Sequence, residues 1–340
     1  MTVVASARNL SVDAARGRTW MRLVDPVDLD VHAGEVLGIV GESGAGKTLT
    51  TRAMVGLLPR GTRAGGEVTL AGRTFDARAI PREELGRTAS VVLQNPLTGL
   101  NPLDRVGRQL TDGVVHLRLM SQAAAVQRAT ELLGRLGLTD AARVLRLYPH
   151  QLSGGMAQRV AIAAALMPRP RLVIVDEPTT ALDANVRIEV LRLISELGRE
   201  ADSGVVMVSH DLALVSRFCQ RVAIMYAGRI VEQAAASDLQ ATALHPYTRA
   251  LLSCTVSTQA RSRASVPVIP GAPPGPQDWP AGCVYAPRCP YAWDECTARR
   301  PAPVAAGDRD AACHLARLPN GSGSPDVTAG PAGRRGLPDA

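Results

Sequence analysis

The residues best suited to chemistry stand in four short runs. The first is Gly41-Glu42-Ser43-Gly44-Ala45-Gly46-Lys47-Thr48, which fits the pattern G-x-x-x-x-G-K-[ST]. Its glycines let successive backbone N–H groups turn inward as an anion nest, and a helix starting at Lys47 would add its positive end. Lys47 would then reach the β- and γ-phosphates of a nucleotide, and Thr48 would ligate Mg²⁺. The second run ends the apolar stretch Leu172–Val175 with Asp176-Glu177. Adjacent carboxylates at a strand end can divide two tasks: Asp176 holds the metal through its water shell, and Glu177 polarises an attacking water. In the third run, Leu152-Ser153-Gly154-Gly155-Met156-Ala157-Gln158-Arg159, a hydroxyl, bare N–H groups and a helix start face an anion. The fourth is a set of cysteines, Cys283, Cys289, Cys296 and Cys313, separated by five, six and sixteen residues.

These groups need elements to hold them. Val36 to Val40 reads as a buried strand before the glycine loop, with a helix following from Lys47. Leu172 to Val175 and Val205 to Ser209 read as two further apolar strands. Ala123 to Leu136, Met156 to Met167 and Val186 to Arg199 carry helical patterns. Strands alternating with helices imply an α/β fold with a mostly parallel sheet, whose ligands gather beyond the strands' carboxyl ends. From about Ser262 the texture changes to a proline-rich, irregular segment followed by the cysteines, and the residues beyond Leu318 are rich in Gly, Pro and Ser and read as disordered. No internal repeat is visible.

Composition narrows the class. At 340 residues and 46% apolar, the chain can hold one large domain and a smaller one. No apolar run approaches the length of a membrane span, and no signal-peptide segment precedes the first charges, so a cytosolic chain is expected. The net charge of +7 comes from scattered residues without interleaved aromatics. That favours a solvated surface, near anionic headgroups, over nucleic-acid binding. Lys47 is the only lysine among 38 basic residues. Arginine replaces lysine wherever either serves, and a compact ammonium is retained where a point charge must fit between phosphates.

The loop alone suits a GTPase, a kinase or a helicase as well as an ATPase. The run Leu152–Arg159 resembles the signature sequence of ABC ATPases, and with it the fold is expected to be a P-loop ATPase with a β subdomain and an α-helical subdomain. In that family the signature, here Ser153, Gly154, Gly155 and Gln158, closes over ATP held by a partner subunit, sandwiching two nucleotides in a head-to-tail dimer. The resemblance carries three more positions. Gln94, cut off by Asn95-Pro96, resembles the glutamine that senses Mg²⁺ and water. Asp183, in Ala181-Leu182-Asp183, resembles the aspartate that crosses the dimer interface. His210 resembles the switch histidine that hydrogen-bonds the γ-phosphate. One feature departs: where the family stacks adenine on an aromatic ring, this chain has Val12-Asp13-Ala14-Ala15, and Trp20 is the nearest substitute.

Within the family, the runs Gln94–Pro102, Tyr148-Pro149-His150, Asp176–Asp183 and His245-Pro246-Tyr247-Thr248 resemble oligopeptide/dipeptide importer ATPases. This implies an ATPase domain over residues 1–255, with its helical subdomain at about 95–166, a Pro/Cys-rich domain over 256–318 and a tail over 319–340. It also implies ATP and Mg²⁺, a homologous ATPase partner in a heterodimer, two transmembrane permease subunits, and an external solute-binding protein. The chain would sit at the cytoplasmic face of a bacterial membrane and bind no nucleic acid. Short peptides are the expected cargo; nickel chelates and opines use related machines. A soluble, non-transport ABC ATPase is the more distant alternative. For the four cysteines, a cytosolic setting disfavours disulfides. Tight Cys pairs typical of structural zinc are missing. An iron–sulfur cluster, zinc and free thiols remain, and the resemblance favours a four-iron (4Fe-4S) cluster. Cys219 and Cys254 lie in apolar helical contexts and read as core residues.

Overall fold

The computed structural model describes residues 2–177, 184–254, 268–305 and 309–317. In chain order its strands are β1 (Val3–Arg16), β2 (Thr19–His32), β3 (Val36–Val40), β4 (Thr62–Leu70), β5 (Arg73–Asp76), β6 (Ala89–Val92), β7 (Leu172–Asp176), β8 (Gly204–Ser209), β9 (Arg221–Tyr226), β10 (Arg229–Ala235), β11 (Val304–Ala305) and β12 (Asp310–Ala311). Its helices are α1 (Lys47–Ala53), α2 (Val106–His116), α3 (Gln122–Arg135), α4 (Ala141–Arg146), α5 (Gly154–Leu166), α6 (Ala184–Glu200), α7 (Leu212–Ser216), α8 (Ala236–Thr242), α9 (Pro246–Ser253) and α10 (Asp294–Ala298).

The central sheet has the order β11-β12-β10-β9-β3-β8-β7-β6. From β9 to β6 every pairing is parallel; β10, β12 and β11 add an antiparallel edge. Strands covered on both faces read as unbroken apolar runs, which is why β3, β7 and β8 were legible. Alternate side chains enter different cores. Leu37, Ile39, Leu172, Ile174, Val206 and Val208 pack with the second sheet, order β2-β1-β4-β5, and with Ala53 and Met54. Val36, Val40, Val173, Val175, Val205 and Met207 face the opposite core, built from α2 to α7 and α9 together with Val284 and Tyr285 of the C-terminal segment.

The helical region between β6 and β7 gathers on Leu110, Val114, Ala129, Leu133 and Ile162. Two of its helices start on serine caps that accept backbone N–H bonds, Ser121 from Ala124 and Ser153 from Met156. Such caps satisfy donors that the first helical turn leaves without a partner. The C-terminal segment is tied to the ATPase core through the β10–β12 pairing, so it is an extension of the main sheet rather than a separate bead.

Candidate functional site

Parallel strands deliver the reactive residues to one edge. Glycine loop 41–46 leaves the end of β3 and turns directly into α1. Gly44 and Gly46 adopt φ of 80° and 97°, a left-handed backbone that side chains resist. Gly41 is required for a different reason: a Cβ there would stand 2.1 Å from the Met225 carbonyl oxygen at the end of β9. The buried Lys47 ammonium donates to the carbonyls of Gly41 (2.8 Å) and Glu42 (3.0 Å), lying across the loop that leads into its helix. Burial lowers its pKa, opposed by the nearby carboxylates of Glu177, Asp176 and Glu42.

The acidic pair comes from the end of β7. The Thr48 hydroxyl donates to Asp176 Oδ1 at 3.0 Å, which sets two hard oxygen donors side by side, as a Mg²⁺ ligand set requires. Burial raises the pKa of Asp176, while the bond from Thr48 and the charge of Arg52 lower it. Glu177 is half-buried and takes φ of 45°, a left-handed conformation that costs a non-glycine residue of order 1 kcal/mol or more. This turn aims its carboxylate toward two neighbours. Gln94 Nε2 donates to Oε2 at 3.0 Å, and His210 Nδ1 lies 3.3 Å from Oε1. Gln94, Glu177 and His210 each follow the carboxyl end of a strand, and these strands, β6, β7 and β8, are adjacent in the sheet. Two residues far apart in the sequence, Gln94 and His210, are thus brought to the one carboxylate of Glu177.

The signature run lies apart from this constellation. Ser153 and Gly154 are exposed at the start of α5, with the Ser153 side chain accepting from Met156 N. Gln158, grouped with them in the sequence reading, does not share that surface: it is 1% exposed and turned inward. Five positions along a helix amount to about 140° of rotation, which takes Gln158 off the face that Ser153 presents. Asp183 lies outside the described residues. Trp20 is exposed at the β1–β2 end, opposite Ala15, with the Arg63 guanidinium 4.2 Å from its ring centroid.

Cys283, Cys289, Cys296 and Cys313 line one cavity together with His245, Tyr285 and Trp293. Burial pushes the Cys289 thiol up to about 12 and that of Cys313 to about 11, and the charges of neighbouring cysteines add to both shifts. Among the described residues, however, no group of three or more His, Cys, Asp or Glu is placed to hold a metal ion. The expectation of a four-iron cluster is therefore not supported by a preassembled ligand set. Cys219 is buried in the core as expected, whereas Cys254 caps α9 and is only half-buried.

Sequence reasoning missed the residues behind the loop. Arg52 Nη2 approaches Asp176 at 4.0 Å, and Arg288 and Tyr247 grip Glu42 from the C-terminal side. No local motif signals these contacts, because Arg288 stands 246 positions from its partner.

A glycine loop opening a helix, a strand-end acidic pair, a glutamine and a histidine on one carboxylate, and a separate helix-start hydroxyl together are the arrangement of an ATPase of the ATP-binding-cassette fold. Comparisons extend this. The profile described as "ABC transporter" matches residues 24–180, and "Oligopeptide/dipeptide transporter, C-terminal region" matches residues 231–296. The probable peptide ABC transporter ATP-binding protein y4tR of Sinorhizobium fredii is 43% identical over 286 residues, covering 82% of this chain and 85% of that protein. The dipeptide transport ATP-binding protein DppD of Escherichia coli is 40% identical over 310 residues, covering 90% and 94% respectively. A solved dimer of the cassette MJ0796, in a post-hydrolysis state with ADP and Pi, superposes with a TM-score of 0.60 at 26% identity, covering 68% of this chain and 98% of that one. The chain belongs to the ATP-hydrolysing, ATP-binding subunits of ABC transporters, in the oligopeptide/dipeptide group.

Proposed function

We propose that this subunit energises import of short peptides through a separate membrane permease, working beside a homologous ATPase. The observation that carries the reading is the meeting of Gln94, Glu177 and His210 next to the Thr48–Asp176 pair. In this reading the loop Gly41–Thr48 wraps the phosphates and Lys47 supplies the point charge between them. Thr48 and Asp176 would hold Mg²⁺, Gln94 would sense it, and the ion would supply charge neutralisation at the phosphates. Glu177 accepts a proton from the attacking water, while His210 fixes the γ-phosphate. Catalysis is then mostly positioning and charge neutralisation.

The helix start Ser153-Gly154-Gly155, exposed at Ser153 and Gly154, would close over ATP held by the partner, with Asp183 crossing the same interface. Closure of the pair would move two permease subunits, docked in the groove between β6, the turn Pro96–Gly99 and α5. On this reading the chain would sit at the cytoplasmic face of the membrane, and an external binding protein would select the cargo. Residues 1–255 would form the ATPase domain, 95–166 its helical subdomain and 256–318 the C-terminal domain. The four cysteines are proposed to hold a four-iron cluster. What supports this is the convergence of all four on one cavity.

The test is a proteoliposome holding the permease, this chain and its partner. ATP-driven uptake of a labelled peptide is expected, and Lys47→Ala should abolish both uptake and nucleotide binding by this chain. Uptake that survives the loss of the Lys47 charge would refute the assignment.

A further inference from the structure

The mechanism above makes no use of an ion pair that joins the C-terminal segment to the glycine loop. Arg288 belongs to the C-terminal segment, one residue before Cys289, and its side chain is 6% exposed. Its guanidinium donates to both carboxylate oxygens of Glu42, at 3.2 and 3.0 Å. The rest of the fork is committed as well: Nε donates to the Pro270 carbonyl at 2.8 Å, and Nη1 also donates to the Tyr226 hydroxyl at 3.2 Å. Glu42 is the second residue of the phosphate-binding loop. Its backbone N–H donates to the Tyr247 hydroxyl at 3.0 Å, and its carbonyl accepts from Lys47. Tyr226, Tyr247 and Tyr285 pack on one another with ring centroids 4.6 to 5.3 Å apart, filling the space between the loop and the cysteine-lined cavity.

A charge taken out of water and saturated with directed bonds fixes geometry more than it adds stability. Here the geometry fixed is that of the loop. Glu42 is held by its carboxylate and by its N–H, which leaves its carbonyl to orient Lys47. We infer that Arg288 is a positioning residue for the nucleotide site: through Glu42 it holds the loop in its phosphate-binding shape, making the C-terminal segment a part of the ATP-binding apparatus. The inference rests on the reading that Gly41–Thr48 binds ATP.

The experiment measures the dissociation constant of a fluorescent ATP analogue for full-length protein carrying Arg288→Gln, Arg288→Lys, Glu42→Gln, or Arg288→Gln with Glu42→Gln. Losing charge-assisted bonds that orient the loop should weaken binding about tenfold in Arg288→Gln. Arg288→Lys, which keeps the charge but not the fork, should fall between it and wild type. Because the arginine acts through Glu42, the double variant should bind within about twofold of the weaker single variant rather than show the product of both losses. In the assembled complex KM for ATP should rise with kcat at saturation retained, a split that collapse of the C-terminal segment would not give. Multiplying losses, or wild-type affinity in Arg288→Gln, would overturn the inference. Should Arg288→Gln not fold, wild-type affinity in Arg288→Lys would overturn it equally. Lys47→Ala separates the two readings: wild-type binding there removes the ATP assignment itself, whereas loss there with none in the Arg288 variants removes only the role of Arg288.

Discussion

Replacing Glu177 by glutamine isolates what its proton-accepting power contributes. The glutamine carbonyl can take the bond that Gln94 Nε2 donates at 3.0 Å, and its amide nitrogen falls near the His210 Nδ1 position now 3.3 Å from Oε1. The side chain is already largely enclosed, so an isostere keeps the packing. What disappears is a base and one negative charge beside Lys47. A positioned general base contributes roughly 10² to 10⁴ in rate, and at 1.36 kcal/mol per decade that is about 3 to 5 kcal/mol of barrier. Removing a carboxylate near the phosphates cannot weaken the binding of an anionic nucleotide, so affinity should hold or rise. The assay is phosphate release at this site, in a complex whose partner site has been disabled, alongside the dissociation constant for MgATP. Expected is at least about a hundredfold fall in turnover with unchanged or tighter binding. Turnover within about threefold of wild type would show that Glu177 is not the base and that the strand-end reading of the acidic pair is mistaken.

Three other outcomes follow from the geometry. Gly41→Ala must displace the Met225 carbonyl or the loop, so ATP binding should weaken at least about tenfold and the thermal midpoint should drop by a few degrees, read by nucleotide titration and melting. Ser153→Asp keeps a side chain that caps a helix as well as serine does, so the melting point should not move. If, as proposed, this helix start faces the partner's nucleotide, the added negative charge should cut turnover of the complex at least about tenfold while ATP binding by the isolated subunit is unaltered. Protein purified without oxygen should be brown and carry about four irons per chain, and Cys296→Ala should lose them; colourless, zinc-bearing protein would end the cluster proposal.

The glycine loop before α1 and the carboxylates at the end of β7 were legible in the sequence because their patterns are local. β3 matched the expected strand residue for residue, and β7 and β8 each gained one residue, since both sheet faces are apolar and the run is unbroken. β1 and β2 escaped individual assignment. Their pairing shifts register several times between Val3 and Asp13, which breaks the simple alternation that marks a strand. Gln158 shows the opposite hazard. Neighbours in a motif need not share a surface once a helix turns them, and this one faces the core. The grip of Arg288 on Glu42 could not be read at all, because it exists only after β9, α9 and the C-terminal segment have packed together.

One lysine in the whole chain, buried at the mouth of a helix, doubles as a built-in reporter. A protease that cuts only after lysine finds a single bond in this polypeptide, between Lys47 and Thr48, and in the folded state that bond begins α1. Every such cleavage therefore records an opening, local or global, of the loop and the start of α1, and amine-directed labels have only that side chain and the amino terminus to mark. Conformational opening at the heart of the enzyme can be counted on a gel, with no probe added.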